Sequence, residues 1–93
     1  MAYHINTVRA VRQNPPNTLG SRLGYAAVKI GLPVTKISAA TGATRQTVYA
    51  WMRGGPVFTP YRATVTKTIN ILQASKTSEE AWRNLCSAFN LTN

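Results

Sequence analysis

The sequence predicts an all-α fold, a compact bundle of about five helices that contains a helix-turn-helix. Two observations support this prediction. Apolar residues recur at three- and four-residue spacing along most of the 93-residue chain, as they do on the buried face of a helix. Threonine, proline and glycine stand where such helices would begin and end. The length allows one domain with a single small core.

The first three helices are predicted from their end signals. Thr18 is a suitable N-cap for a packing helix over Leu19–Ile30, which Gly31 ends. A second helix covers residues 33–41, and Gly42 allows the chain to reverse with a positive φ. Thr44 caps a third helix over Arg45–Met52. On this helix Val48 and Trp51 face the core, whereas Arg45, Gln46, Tyr49 and Ala50 do not. This helix ends at Gly54.

The second half of the chain is predicted to form two more helices. Residues 54–60 form a linker in which Phe58 anchors to the core, and Thr59-Pro60 is an N-cap and first-turn pair. For residues 61–74 the proline start favours a helix, whereas the β-branched run TVTKTINI leaves a strand as the alternative. Thr77 and Glu80 make a capping box for a last helix that ends near Asn90.

The chain divides into an arm and a domain. Ile5, Val8 and Val11 could form one face of a short helix, but Asn14-Pro15-Pro16-Asn17 then breaks any regular element. Residues 1–17 are therefore interpreted as a basic arm of uncertain order. Arg9 and Arg12 in this arm would meet phosphates or enter a minor groove, and diffuse phosphate attraction is the favoured interpretation. Residues 18–93 form the helical domain, with the helix within 75–93 as a candidate dimerisation element.

The charge balance points to a polyanionic partner. Eleven Lys and Arg residues stand against only Glu79 and Glu80, which gives a net charge of +9. Such a field attracts polyanions and accelerates encounter with them. Charge alone does not distinguish DNA, RNA and an anionic membrane surface.

The same composition argues against several other functions. Glu79 and Glu80 are the only carboxylate side chains and His4 is the only histidine, so we expect no enzyme, no metal site and no cofactor. Cys86 lies among apolar residues and is interpreted as a buried small side chain. No apolar run reaches the length of a membrane span or a signal peptide, so we expect a soluble cytoplasmic protein.

The segment 33–54, PVTKISAATGATRQTVYAWMRG, carries the most specific signal. The spacing of Ile37, Gly42, Val48, Trp51 and Gly54 resembles that of the Cro and lambda-repressor class of phage and bacterial regulators. The run TRQT at 44–47 resembles the polar opening of the recognition helix in that family. The same helix is also similar to one in resolvases and transposases.

The resemblance implies a set of DNA contacts. Arg45 would pair with guanine and Gln46 with adenine in the major groove. The whole set expected at the bases is Thr44, Arg45, Gln46, Thr47, Tyr49 and Ala50. The set expected at phosphates is Lys36, Arg53, Arg62, Arg9 and Arg12.

The last helix carries an apolar stripe of Trp82, Leu85 and Phe89, which either completes the core or forms a two-fold dimer interface.

The function expected is a sequence-specific regulator of transcription that binds double-stranded DNA as a homodimer, in a bacterial host cell. The alternative is a phage DNA-processing accessory factor, such as a small terminase subunit, an excisionase or a recombinase-associated protein. RNA binding ranks below both, because the sequence lacks an aromatic strand motif or a GXXG loop.

Overall fold

The computed structural model describes Tyr3 and residues 5–13 and 17–91, and within these residues it consists of α-helices joined by short connections. The six helices of this part are α1 (Ile5–Gln13), α2 (Leu19–Ile30), α3 (Val34–Thr41), α4 (Arg45–Met52), α5 (Thr59–Ala74) and α6 (Ser78–Phe89). The predicted all-α class is confirmed. The helix beyond the expected five is α1.

Helix α2 lies at the centre of the bundle, where α1, α4 and α5 all pack against it. Two glycines make the contact with α4 close. A Cβ added to Gly20 would lie 2.3 Å from the carbonyl oxygen of Trp51, and one added to Gly24 would lie 2.9 Å from that of Met52. Only glycine allows the backbones of α2 and α4 to approach this closely.

The short helix that the spacing of Ile5, Val8 and Val11 allows is present as α1, and it packs on the core instead of extending from it as an arm. Val8 and Val11 of α1 are buried against the rest of the core, and Arg9 and Arg12 lie on the exposed side of the same helix. Tyr3 is also buried, and its hydroxyl donates to the carbonyl of Leu32. The predicted break at 14–16 and His4 lie outside the described residues.

The predicted helix ends are confirmed in α2 and largely so in α6. Thr18 Oγ1 accepts from the backbone N–H of Ser21 at 3.1 Å, and Gly31 ends α2 with a φ of 76°. Thr77 Oγ1 accepts from the N–H of Glu80 at 3.1 Å. The Glu80 carboxylate accepts from the N–H of Lys76 at 2.9 Å, so this half of the capping box closes one residue earlier than predicted.

Residues 61–74 are helical, which decides between the two alternatives. Val65, Ile69 and Leu72 are buried on one face of α5. The hydroxyls of Thr66 and Thr68 each donate at 2.8 Å to the carbonyl four residues earlier. The apolar face and these hydrogen bonds place the β-branched residues in a helix despite their strand preference.

The linker before α5 differs from its prediction. Phe58 is 70% exposed, whereas Val57 is 7% exposed and occupies the core in its place. Phe58 is also the N-cap of α5, without a side-chain hydrogen bond, and Thr59 is already the first helical residue. The anchor and the cap predicted for this segment are therefore wrong by one residue each.

Candidate nucleic-acid interface

The turn between α3 and α4 is fixed by hydrogen bonds that close within a few residues. Gly42 ends α3 with a φ of 79°, and its N–H donates to the carbonyl of Ser38 at 2.9 Å. The Ser38 hydroxyl donates to the carbonyl of Ala43. Thr41 Oγ1 donates to the carbonyl of Ile37 at 2.9 Å and accepts from the N–H of Ala43 at 3.3 Å. These bonds set the angle at which α4 leaves the turn.

Sequence reasoning did not assign Ser38 and Thr41 any part in the site. Both have short side chains with a hydroxyl, and a hydroxyl two to five residues from a helix end can bond to the turn backbone. A short hydroxyl side chain near a predicted helix end was therefore the feature of the sequence that could have indicated this role. It indicates that polar residues at these two positions hold the turn while the apolar ones around them hold the helices.

Helix α4 is anchored to the core by its inner face. Val48, Trp51 and Met52 are buried, as predicted for Val48 and Trp51. The ring of Trp51 packs at a tilt against Tyr61 of α5, with 5.3 Å between ring centroids. The N–H of Gly55 donates to the carbonyl of Ala50 at 2.9 Å and so ties the end of α4 to the following loop.

The outer face of α4 presents the side chains predicted for base contacts. Arg45, Gln46 and Ala50 are exposed, and Tyr49 is half-buried. Arg45, Gln46 and Tyr49 share a shallow hollow of about 400 Å³ with the first residues of α3. The polar start of α4 and the N-terminal end of α3 thus form one continuous surface.

Thr44 and Thr47 have distinct positions within this surface. Thr44 Oγ1 accepts from the N–H of Thr47 at 3.2 Å, which is the predicted cap, and donates to Thr47 Oγ1 at 2.9 Å. The Thr44 hydroxyl is therefore occupied in holding the first turn of α4. Thr47 keeps its own hydroxyl proton for a donation outward.

The cations predicted for phosphate contacts separate into three groups. Arg53 directly follows α4. Arg62 lies in the first turn of α5 next to Tyr61, whose ring packs against Trp51 of α4, and both arginines are exposed. Lys36 is half-buried, with its Nζ 4.8 Å from the centroid of the Trp82 ring. Arg9 and Arg12 lie on α1, which packs against α2.

The apolar stripe of α6 is largely internal. Leu85 has no exposed surface, so of the two alternatives for the stripe it fits completion of the core. Trp82 and Phe89 are half-buried and pack against the core. Lys67 Nζ lies 4.9 Å from the Phe89 ring centroid and donates to the carbonyl of Ala88 at 3.3 Å, so lysines lie over both rings.

The positive charge remains without internal neutralisation in the part of the chain that the structure describes. There, neither Glu79 nor Glu80 pairs with a basic side chain, and Glu80 is used in the backbone contact to Lys76. Arg45 has no partner among these residues either. The outer surface of α4 therefore carries a free guanidinium in a field of net charge +9.

Comparison of the chain with protein-family models, with curated protein sequences and with solved structures finds no significant match. Over the described residues, no helix has the length and apolar character needed to cross a membrane. The same residues contain no group of three or more His, Cys, Asp or Glu side chains arranged to hold a metal ion.

Proposed function

We propose that this protein is a sequence-specific regulator of transcription that binds double-stranded DNA, with α3 and α4 as its helix-turn-helix. The observation that carries the proposal is the outer face of α4, where exposed Arg45 and Gln46 stand on a helix whose other face is buried. A helix of this kind fits the major groove with its first turns against the base edges.

The chemistry of this face suits direct readout of bases. Arg45 can donate two hydrogen bonds to O6 and N7 of guanine, and Gln46 can pair with N6 and N7 of adenine. One turn further along the helix, Ala50 offers an apolar contact to a thymine methyl group. Tyr49 borders the same hollow with its side chain half-buried, and Thr47 has a proton to donate to a phosphate or a base.

The flanking charges supply the part of the affinity that does not depend on sequence. Arg53 and Arg62 are exposed beyond the C-terminal end of α4, where a phosphate backbone would pass if α4 lay in the groove. One recognition helix reads only a few base pairs, so we propose that two copies bind a two-fold site. Occlusion of a promoter in the cytoplasm of a bacterial host is the simplest action of such a dimer, as in the Cro and repressor class.

The test is selection from a random duplex library at near-physiological salt with excess competitor DNA. We expect enrichment of a two-fold motif, with half-sites separated by about one helical turn of DNA, roughly 10 base pairs. Retained affinity without any enriched motif would contradict sequence-specific regulation. That result would favour an accessory protein of DNA processing that follows backbone and shape.

A pair of variants then tests the assignment of α4. Arg45→Ala should weaken binding to the selected site by about 1–3 kcal/mol and relax the preference at one base position. Arg62→Ala is the control, because loss of a phosphate contact weakens binding to all sequences alike. Equal and sequence-independent losses in both variants would show that α4 does not read bases.

A further inference from the structure

A second positively charged surface lies away from α4. A groove of about 940 Å³ runs between the C-terminal ends of α1 and α5 and one side of α2, and we refer to it as the basic groove. Arg12, Arg22, Lys29 and Lys76 line it, all four exposed. Within the described residues, none of their side chains has an ion-pair or hydrogen-bond partner, and no carboxylate lines the groove.

The basic groove is built by packing that the fold holds in place. The hydroxyl of Tyr25 on α2 donates to the carbonyl of Arg12 at 3.1 Å, which holds the end of α1 against α2. Partly exposed apolar side chains, Tyr25, Val28 and Ile30, line the groove together with the cations, and Val11, Ala26 and Leu72 are buried beneath them. The surface is therefore amphipathic, with an apolar floor and a basic rim.

The basic groove and α4 lie on opposite sides of α2. Gly20 and Gly24 face α4, since a Cβ on either would contact its backbone. Arg22 and Lys29 are rotated from these glycines by about 140–200° around the helix axis, at roughly 100° per residue. A ligand in the basic groove therefore leaves the outer face of α4 free.

We propose that the basic groove binds an acidic amphipathic segment of another protein. Apolar side chains of the segment would cover Tyr25, Val28 and Ile30, while its carboxylates would pair with the four cations at the rim. A phosphate backbone would pair with the cations but would leave the apolar floor uncovered. A second copy of this chain does not fit, because its net charge is +9 and it has only Glu79 and Glu80 to offer.

The probe is a fluorescein-labelled peptide of about 18 residues, roughly five helical turns, with leucines on one face and glutamates on the other. The control peptide has the same composition in scrambled order. Fluorescence anisotropy at about 0.15 M salt, where the Debye length is about 8 Å, limits long-range attraction. We expect the amphipathic peptide to bind at least about tenfold more tightly than the scrambled one.

Two double variants with the same change in net charge locate the site. Arg22→Glu/Lys29→Glu should weaken peptide binding about tenfold or more, whereas Arg62→Glu/Arg83→Glu should weaken it less than about threefold. All four side chains are exposed, and helicity and thermal unfolding verify the folds. If a reversed charge prevents folding, the corresponding glutamine variants give a smaller difference with the same sign.

Equal losses in the two variants, or equal binding of the two peptides, would overturn the proposal by showing general charge attraction. It would also be overturned if Arg22→Glu/Lys29→Glu weakened binding of duplex DNA but left peptide binding unchanged. The groove would then be a second nucleic-acid surface. The peptide assay contains no DNA, so its outcome is independent of the function proposed for α4.

Discussion

Replacement of Gly20 by alanine tests the close contact between α2 and α4. The added Cβ would lie 2.3 Å from the carbonyl oxygen of Trp51 and 3.0 Å from that of Gly55. Ordinary van der Waals contact begins at 3.4 Å, and both neighbours are backbone atoms that cannot rotate away. The helices must therefore separate locally by about 1 Å, within a core that is close-packed.

Two opposing terms determine the size of the effect. Alanine is favoured over glycine in a helix interior by about 0.5–1 kcal/mol, and by less in the first turn, where Gly20 lies. Overpacking of a tight contact costs typically about 1–3 kcal/mol. The contact is well inside the normal limit, so we expect the upper part of that range. The net loss is then about 1–2 kcal/mol, which lowers Tm by roughly 5–15 °C in a domain of this size.

The assay is thermal and denaturant unfolding of Gly20→Ala beside a control pair at an exposed position of the same helix. Arg22→Ala should be more stable than Arg22→Gly by about 1 kcal/mol, because only helix propensity differs there. The Cβ added in Gly24→Ala would have its nearest contact at 2.9 Å, so this variant should lose less stability than Gly20→Ala without gaining what helix propensity alone would give. A Tm for Gly20→Ala above that of the parent protein would refute the packing of α4 on α2 described above.

Two further substitutions, at Thr44 and at Tyr3, test the N-cap of α4 and the buried hydroxyl near the start of the chain. Thr44→Ala should lower the free energy of unfolding by about 0.5–2 kcal/mol and Thr44→Ser much less, since serine keeps the cap to Thr47; equal losses in urea titrations would contradict the cap. Burial, with a smaller contribution from Tyr49, raises the pKa of the Tyr3 hydroxyl well above its ordinary value of 10.0. The folded state therefore keeps this proton while the unfolded state loses it, so stability should fall above pH 10 by up to about 1.4 kcal/mol per pH unit. Tyr3→Phe should remove that part of the pH dependence, and an unchanged slope would show that Tyr3 titrates normally.

The parts of the fold that the sequence predicts well are those fixed by neighbouring residues. The caps at Thr18 and Thr44 and the positive φ at Gly31 and Gly42 depend on backbone groups only a few residues away. The apolar side chains of α4 also follow from their spacing, because a helix brings residues three and four apart to one face. For the same reason the exposed position of Arg45 was predictable.

The parts that the sequence does not predict depend on distant residues. Val8 and Val11 form an apolar face at helical spacing, but only the surface of α2 determines that this face is covered. Val57 and Phe58 are adjacent and both apolar, and the direction of the chain into α5 decides which one is buried. The charge of Lys36 predicts a contact with a DNA phosphate. Its contact with the Trp82 ring could not be predicted in the same way, because it exists only where α6 packs against α3.

The unneutralised charge should make salt act in opposite directions on stability and on DNA affinity. The Cα radius of gyration is 11.8 Å, while the Debye length is about 30 Å at 0.01 M salt and about 10 Å at 0.1 M. At low salt the cations therefore repel one another across the whole molecule, and at 0.1 M only across short distances. Tm of the free protein should rise over this range, because no ion pair among the described residues is lost in exchange. Affinity for duplex DNA should fall with a log–log slope near −5 if ~6 phosphates are neutralised. If DNA binds as proposed, it supplies the missing negative charge, so it should stabilise the fold most at the salt concentration where the free protein is least stable. A Tm of the free protein that falls as salt rises would mean that attraction, not repulsion, dominates its surface.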